Sequence, residues 1–193
     1  MKTWKFPFLL VVLSSVIGAV AQSGNAQPAQ PTGPASVSDI ANAEIGIIER
    51  ELVPAAEAMP EDKYNFAPTA GEFKGVRTFA QQVKHVATTN YAFWSAVLGE
   101  KPAVDVSNEN GPDSIKTKAD IVKFLKDSFA LGHRAAKSLT SANMGERVES
   151  EFGKQPRLFL TTFTVAHCFD HYGQMVEYLR MNGIIPPASR PQK

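Results

Sequence analysis

Apolar residues recur at helical intervals in four stretches of the chain, and no stretch alternates as a strand does. Ser36-Val37-Ser38-Asp39 has the form of a capping box, and Ile40, Ile47, Ile48, Leu52 and Ala55 follow it at three-, four- and seven-residue steps. This predicts a first helix that ends near Met59-Pro60, with a kink at Pro54. A second helix is expected over residues 76–98, where Phe79, Val83, Val86, Asn90, Phe93 and Val97 make one stripe and Gly99 closes it. Thr117 to Asp120 opens a third helix, with Ile121, Val122, Leu125, Phe129 and Leu139 on its apolar side. Pro156 suits the first turn of a fourth, which stays apolar from Leu158 to Met181 and stops at Asn182-Gly183 and Pro186-Pro187. Each stripe needs partners on two sides, so the expected fold is all-α, a four-helix bundle. The connections around residues 59–75, 99–117 and 140–155 exceed those of tight helix hairpins, which allows crossovers along the bundle. Tyr64, Phe66 and Pro68 are expected to pin the first connection against the bundle.

The first thirty residues do not belong to that pattern. Lys2 and Lys5 precede an apolar run closed by Ala19-Val20-Ala21, the succession of a secretory signal peptide over residues 1–21. The run is interrupted by Pro7 and Gly18 and is shorter than the ~20 residues needed to span a bilayer, which argues against a retained anchor. Cleavage near Ala21 predicts an exported protein, periplasmic or extracellular, with no stable membrane anchor. Residues 22–36, rich in Pro, Gly, Ala, Gln and Ser, read as a disordered tether, residues 37–187 as the bundle and residues 188–193 as a tail.

Composition narrows the chemistry. The chain has 193 residues with 20 basic and 19 acidic side chains, and no basic stripe, so nucleic acid is not an expected partner. Loss of Lys2 and Lys5 takes the formal charge from +1 to −1. A single cysteine excludes an internal disulfide and a Cys-rich zinc module, so any metal must be held by nitrogen and oxygen.

Four histidines supply the nitrogen. His167 and His171 lie four residues apart on the fourth helix, with Cβ atoms ~5–6 Å apart, close enough for both rings to reach one ion. Two histidines on one helix make a weak site, and His85 on the second helix is the best candidate for a third ligand. Thr89, Ala92 and Ala96 share its face and are expected to leave open volume before the ring. Buried histidines on a mostly apolar helix need polar partners, and a metal satisfies both; an isolated pair at this spacing also arises by chance. His133 shares a face with Lys126 and Lys137 and reads as surface. Cys168 points about 100° away from the histidine stripe and reads as a small buried residue, not a nucleophile. Asp170 and Gln174 are placed to orient a ring or a bound water, while Tyr91 and Trp94 suit either a pocket wall or the core.

These segments together resemble the DinB-like metal-binding proteins of the DinB/YfiT superfamily. The resemblance rests on Met59-Pro60-Glu61-Asp62 with the connection Tyr64 to Pro68, on Gln82-Val83-Lys84-His85-Val86-Ala87, and above all on His167-Cys168-Phe169-Asp170-His171-Tyr172-Gly173-Gln174-Met175 followed by Gly183 to Pro187. It implies a bundle in up-down-down-up order, a divalent ion held by His85, His167 and His171, and a homodimer. It also implies thiol-dependent transferase or isomerase chemistry.

Two functions follow as expectations. One is a metal-dependent hydrolase or thiol/group transferase acting on a small-molecule substrate, with zinc or nickel as the leading ions. The other is a metal or small-ligand binding protein whose ion is structural; the sequence offers no evident general base or nucleophile beside the histidines.

Overall fold

The computed structural model describes residues 33–191, and the expected signal peptide, most of the expected tether and the last two residues lie outside them. Four helices carry the fold: α1 (Val37–Ala58), α2 (Phe79–Leu98), α3 (Lys118–Ser138) and α4 (Arg157–Met181). Side chains start the first three. At α1, the Asp39 amide donates to Ser36 Oγ at 3.1 Å and the Ser36 amide returns to Asp39 Oδ2 at 3.2 Å. At α2, Gln81 and Thr78 form the same reciprocal pair, so the helix begins at Phe79 rather than Val76. The Asp120 amide donates to Thr117 Oγ1 at α3. Gly99 ends α2 in the left-handed conformation at φ 70°, where a side chain would be strained.

Contacts along the helices give their directions. Lys118 at the start of α3 donates to the carbonyls of Glu57 and Met59 at the end of α1, while His133 near the end of α3 meets Asn42 near the start of α1, so this pair is antiparallel. Gln82 with Gln174, Asn90 with Cys168 and Val97 with Arg157 set α2 antiparallel to α4. Tyr91 stacks on Phe124 and Trp94 packs on Phe129, which makes α2 and α3 parallel. The chain therefore runs up, down, down, up, and the long connections are the crossovers that this order requires.

The core is built from Ile45, Ile48 and Leu52 of α1, Val83, Val86 and Trp94 of α2, Leu125 and Phe129 of α3, and Leu160, Met175 and Leu179 of α4. Of the stripe expected on α1, Ile48, Leu52 and Ala55 are buried, but Ile40 and Ile47 are 51% and 47% exposed, and Ala41 and Ile45 are buried in their place. Helix α1 carries isoleucine on two faces, and only the neighbours decide which face is covered. In the first connection Tyr64 is buried, its hydroxyl donates to the Ala56 carbonyl at 2.6 Å, its ring meets Phe79 edge-on, and Phe66 packs against Tyr178.

The structure adds two features. Arg147–Val148 (β1) pairs antiparallel with Gln155–Pro156 (β2), so Pro156 lies in a ladder and caps α4 instead of opening its first turn. Strands of two residues are too short for alternation to show in the sequence. The expected tail opens within a 3₁₀ turn, Pro187–Ser189, whose Ser189 Oγ accepts from Arg180. Among the described residues no helix is long and apolar enough to cross a membrane.

Candidate metal centre

Antiparallel pairing brings the N-terminal half of α2 against the middle of α4, and this carries His85 to His167 and His171. Their ring centroids are 5.0 Å (His85 to His167), 4.6 Å (His85 to His171) and 4.4 Å (His167 to His171) apart, and one nitrogen from each lies within 4.8 Å of the others. The three residues separated in sequence thus form one cluster. His133 stands apart, and the structure corrects its reading as a surface residue: Nδ1 meets Asn42 Oδ1 at 2.7 Å and Nε2 meets Glu49 Oε2 at 2.9 Å, so the half-buried ring ties α3 to α1.

The outer nitrogens define the inner ones. His85 Nδ1 lies 2.6 Å from the backbone carbonyl of Glu109, and His171 Nδ1 lies 2.6 Å from Gln82 Oε1. With the Gln82 amide oriented as its partners require, both oxygens only accept, so both Nδ1 atoms carry the proton and both Nε2 atoms present lone pairs. His85 Nε2 lies 3.1 Å from His167 Nε2. Two imidazole nitrogens facing at that distance share either a proton or a cation, and the spacing is close to the ~3.3 Å that two tetrahedral bonds of ~2.05 Å enforce. His167 Nδ1 is buried without a hydrogen-bond partner, so that ring is engaged only through Nε2. The donor set therefore fits a divalent ion: neutral nitrogen ligands, two of them oriented from behind as metal-binding histidines are.

A polar chain fixes one side. Gln82, only 2% exposed, accepts from His171 and donates through Nε2 to Gln174 Oε1 at 2.8 Å, and Gln174 Nε2 donates to Asp170 Oδ2 at 3.0 Å. Asp170 is exposed and reaches the histidines through two amides. Burial keeps the rings neutral. It pushes His167 down to about 3, with the neighbouring His171 and His85 adding to the effect, and His171 down to about 4. His85 is also lowered, again mainly by burial, with the Glu109 carbonyl opposing. Arg77 contributes a like-charge penalty to all three.

Open space lies toward the start of α2, behind the rings: a cavity of about 360 Å³ is lined by Arg77, Gln81, Gln82, Glu109, Asn110 and Gln174 among others, and meets His85 and His171 through Glu109 and Gln82, in place of the volume expected at Thr89, Ala92 and Ala96. On the opposite side Phe163 stacks on His167. Cys168 is fully buried, lies 3.2 Å from Asn90 Oδ1, and has its thiol pushed up to about 12 by burial. Trp94 belongs to the core, and Tyr91 lines a separate cavity with Glu100 and Arg134.

Sequence reasoning named the three histidines, Asp170 and Gln174, but gave no role to Gln82, Arg77 or Glu109. Gln82 left a signal, a glutamine one turn before His85 on the buried side of an apolar stripe. The Glu109 carbonyl left none, because backbone groups are alike at every position.

The family model of the DinB superfamily matches residues 47–175. Among solved structures, a DinB-like protein from Bacillus cereus ATCC 10987 superposes with a TM-score of 0.61 at 16% identity, over 76% of this chain and 93% of that one. That likeness speaks for the fold. No curated protein matches the chain.

Proposed function

This chain belongs to the DinB superfamily, and from that premise we propose that it is an exported protein that binds a divalent metal ion, zinc or nickel, through His85, His167 and His171. One observation carries the reading: His85 and His167 face each other through Nε2 atoms at 3.1 Å with the His171 ring beside them, while the Glu109 carbonyl and Gln82 hold the Nδ1 protons of His85 and His171.

Three protein ligands leave coordination positions open, as catalytic sites do, and this favours reaction over a purely structural role. A divalent ion held there supplies a Lewis acid, or a bound water acidified toward ~7, for hydrolysis or group transfer. The chain's own residues do the rest. Gln82 and the Glu109 carbonyl hold the rings in one tautomer, burial keeps them deprotonated, and Gln174 with Asp170 locks Gln82 in place.

A structural ion is the second reading, favoured by the cross-link that the cluster makes between α2 and α4. Metal analysis of untagged protein tests the site itself: wild type binds one ion per chain, His85→Ala and His171→Ala bind far less, and equal content in all three sinks the proposal. A probe that ligates the bound ion then separates the roles, since an open centre takes it and a closed structural one does not. Sizing the secreted protein checks export, which predicts a mature N-terminus near residue 22.

A further inference from the structure

The carbonyl that orients His85 comes from a turn over residues 108–112, outside any helix, and that turn is held in place by its own bonds and by its neighbours. The Gly111 amide donates to the Asn108 carbonyl at 2.8 Å and the Asn110 amide to Asn108 Oδ1 at 3.0 Å, which closes the turn on itself. Two cations clip it to α2. Arg77, just before the helix, donates through Nε to Asn110 Oδ1 at 2.8 Å and pairs with Glu109 Oε2 at 3.0 Å, and Lys84 Nζ donates to the Pro112 carbonyl at 3.2 Å. Arg77 is itself anchored to α4, since its carbonyl accepts from the Tyr178 hydroxyl at 3.0 Å.

Between the clips Gly111 lies directly on the helix, with φ at 79°. A Cβ added there would stand 2.8 Å from Lys84 Cβ and 3.2 Å from Thr88 Oγ1. Lys84 Cβ is fixed to the backbone of α2 and cannot swing away, so a side chain at position 111 drives the turn off the helix, in addition to straining its own backbone. The Glu109 carbonyl, two residues earlier, lies 2.6 Å from His85 Nδ1. That hydrogen bond is lost within about 1 Å of retreat.

We propose that Gly111 and Arg77 are positioning residues of the metal centre: the bare glycine lets the turn lie flat on α2, the guanidinium holds it there, and the Glu109 carbonyl thereby fixes the His85 ring with Nε2 toward the ion. The inference rests on the metal reading above and adds to it two residues that act through a backbone carbonyl.

The test measures zinc affinity of the full chain by chelator competition, with two variants and one control. Gly111→Ala is expected to lower affinity about tenfold or more, the size of effect seen when a metal-bound histidine loses its outer partner. Arg77→Lys keeps the positive charge near the cluster but cannot make both contacts of the fork, and it should weaken binding severalfold. The double variant should bind within about twofold of Gly111→Ala alone, because both changes act through one carbonyl. Gly99→Ala is the control. It places the same side chain on the same left-handed backbone at the far end of α2, so it lowers the melting temperature without touching the turn and should leave zinc affinity unchanged. Cobalt(II) in the site gives a second readout, an absorption spectrum altered in Gly111→Ala and not in Gly99→Ala. Wild-type affinity in Gly111→Ala or in Arg77→Lys, or an equal loss in Gly99→Ala, overturns the proposal and leaves the metal site standing. Failure of wild type to bind zinc defeats the metal reading and the clip with it.

Discussion

Gln82 Oε1 lies 2.6 Å from His171 Nδ1, joining two helices whose residues are 89 positions apart in the chain. The contact sets which nitrogen of His171 faces the cluster, and Gln82 has no freedom to turn because Gln174 holds its amide. Replacing Gln82 with Leu keeps the bulk and removes the acceptor. Metal affinity is expected to fall about 10- to 100-fold, read by competition against a chromogenic chelator. Affinity within twofold of wild type would show that the glutamine does not orient the ring.

Metal should stabilise the fold, since the ligands come together only in the native state. At a free zinc concentration 100 times the dissociation constant the gain is about 2.7 kcal/mol, visible as a higher melting temperature than in chelator. A melting curve that ignores saturating metal contradicts native-state binding.

The metal-free protein should lose stability in mild acid. His167 titrates at about 3 and His171 at about 4 in the folded chain, against 6.5 for the free side chain. Between those values the unfolded chain binds protons that the folded chain refuses, so stability rises with pH across this window. It is fully present above about 6.5 and declines as pH falls toward 4. Chelated protein melted at pH 7.5, 5.5 and 4.5 measures the slope, and His167→Asn should flatten it.

Gly132 faces the indole of Trp94, where a Cβ would sit 2.5 Å from a ring carbon. Trp94 is fully buried and cannot move aside. Gly132→Ala should cost about 1–3 kcal/mol by overpacking, against the small gain in helix propensity that alanine brings elsewhere. Urea unfolding decides it, and an unchanged midpoint would mean that the indole has room to shift.

Cys168 should be inert in the native protein. Its thiol is fully buried, is pushed up to about 12, and lies against Asn90. Iodoacetamide at pH 8 should leave it unmodified for hours and alkylate it readily in urea; rapid native labelling would contradict the burial.

Much of the molecule is legible in the one-dimensional pattern. Caps at Ser36 and Thr117 and the stop at Gly99 are local chemistry between residues a few positions apart, and they locate the helix ends to within a residue. The stripe on α2 is legible too, since every member from Phe79 to Val97 is buried. Misplacement begins where two answers are locally equal. Ile40 and Ile47 are as apolar as Ile45 and Ile48, and His133 beside lysines looks solvated until α1 brings Asn42 and Glu49 to it.

Residue order alone determined that this chain makes four amphipathic helices and that the fourth carries two imidazoles at a spacing able to share an ion, because periodicity and i,i+4 geometry are properties of a single helix. Tertiary structure decided that His85 joins His167 and His171, that Gln82 and the Glu109 carbonyl stand behind the rings, and that Arg77 looks into the adjoining cavity. The hydrogen bonds among them span from 24 to 89 positions along the chain. They depend on which helices lie side by side and in which direction, a choice made by packing the whole core and written in no single segment.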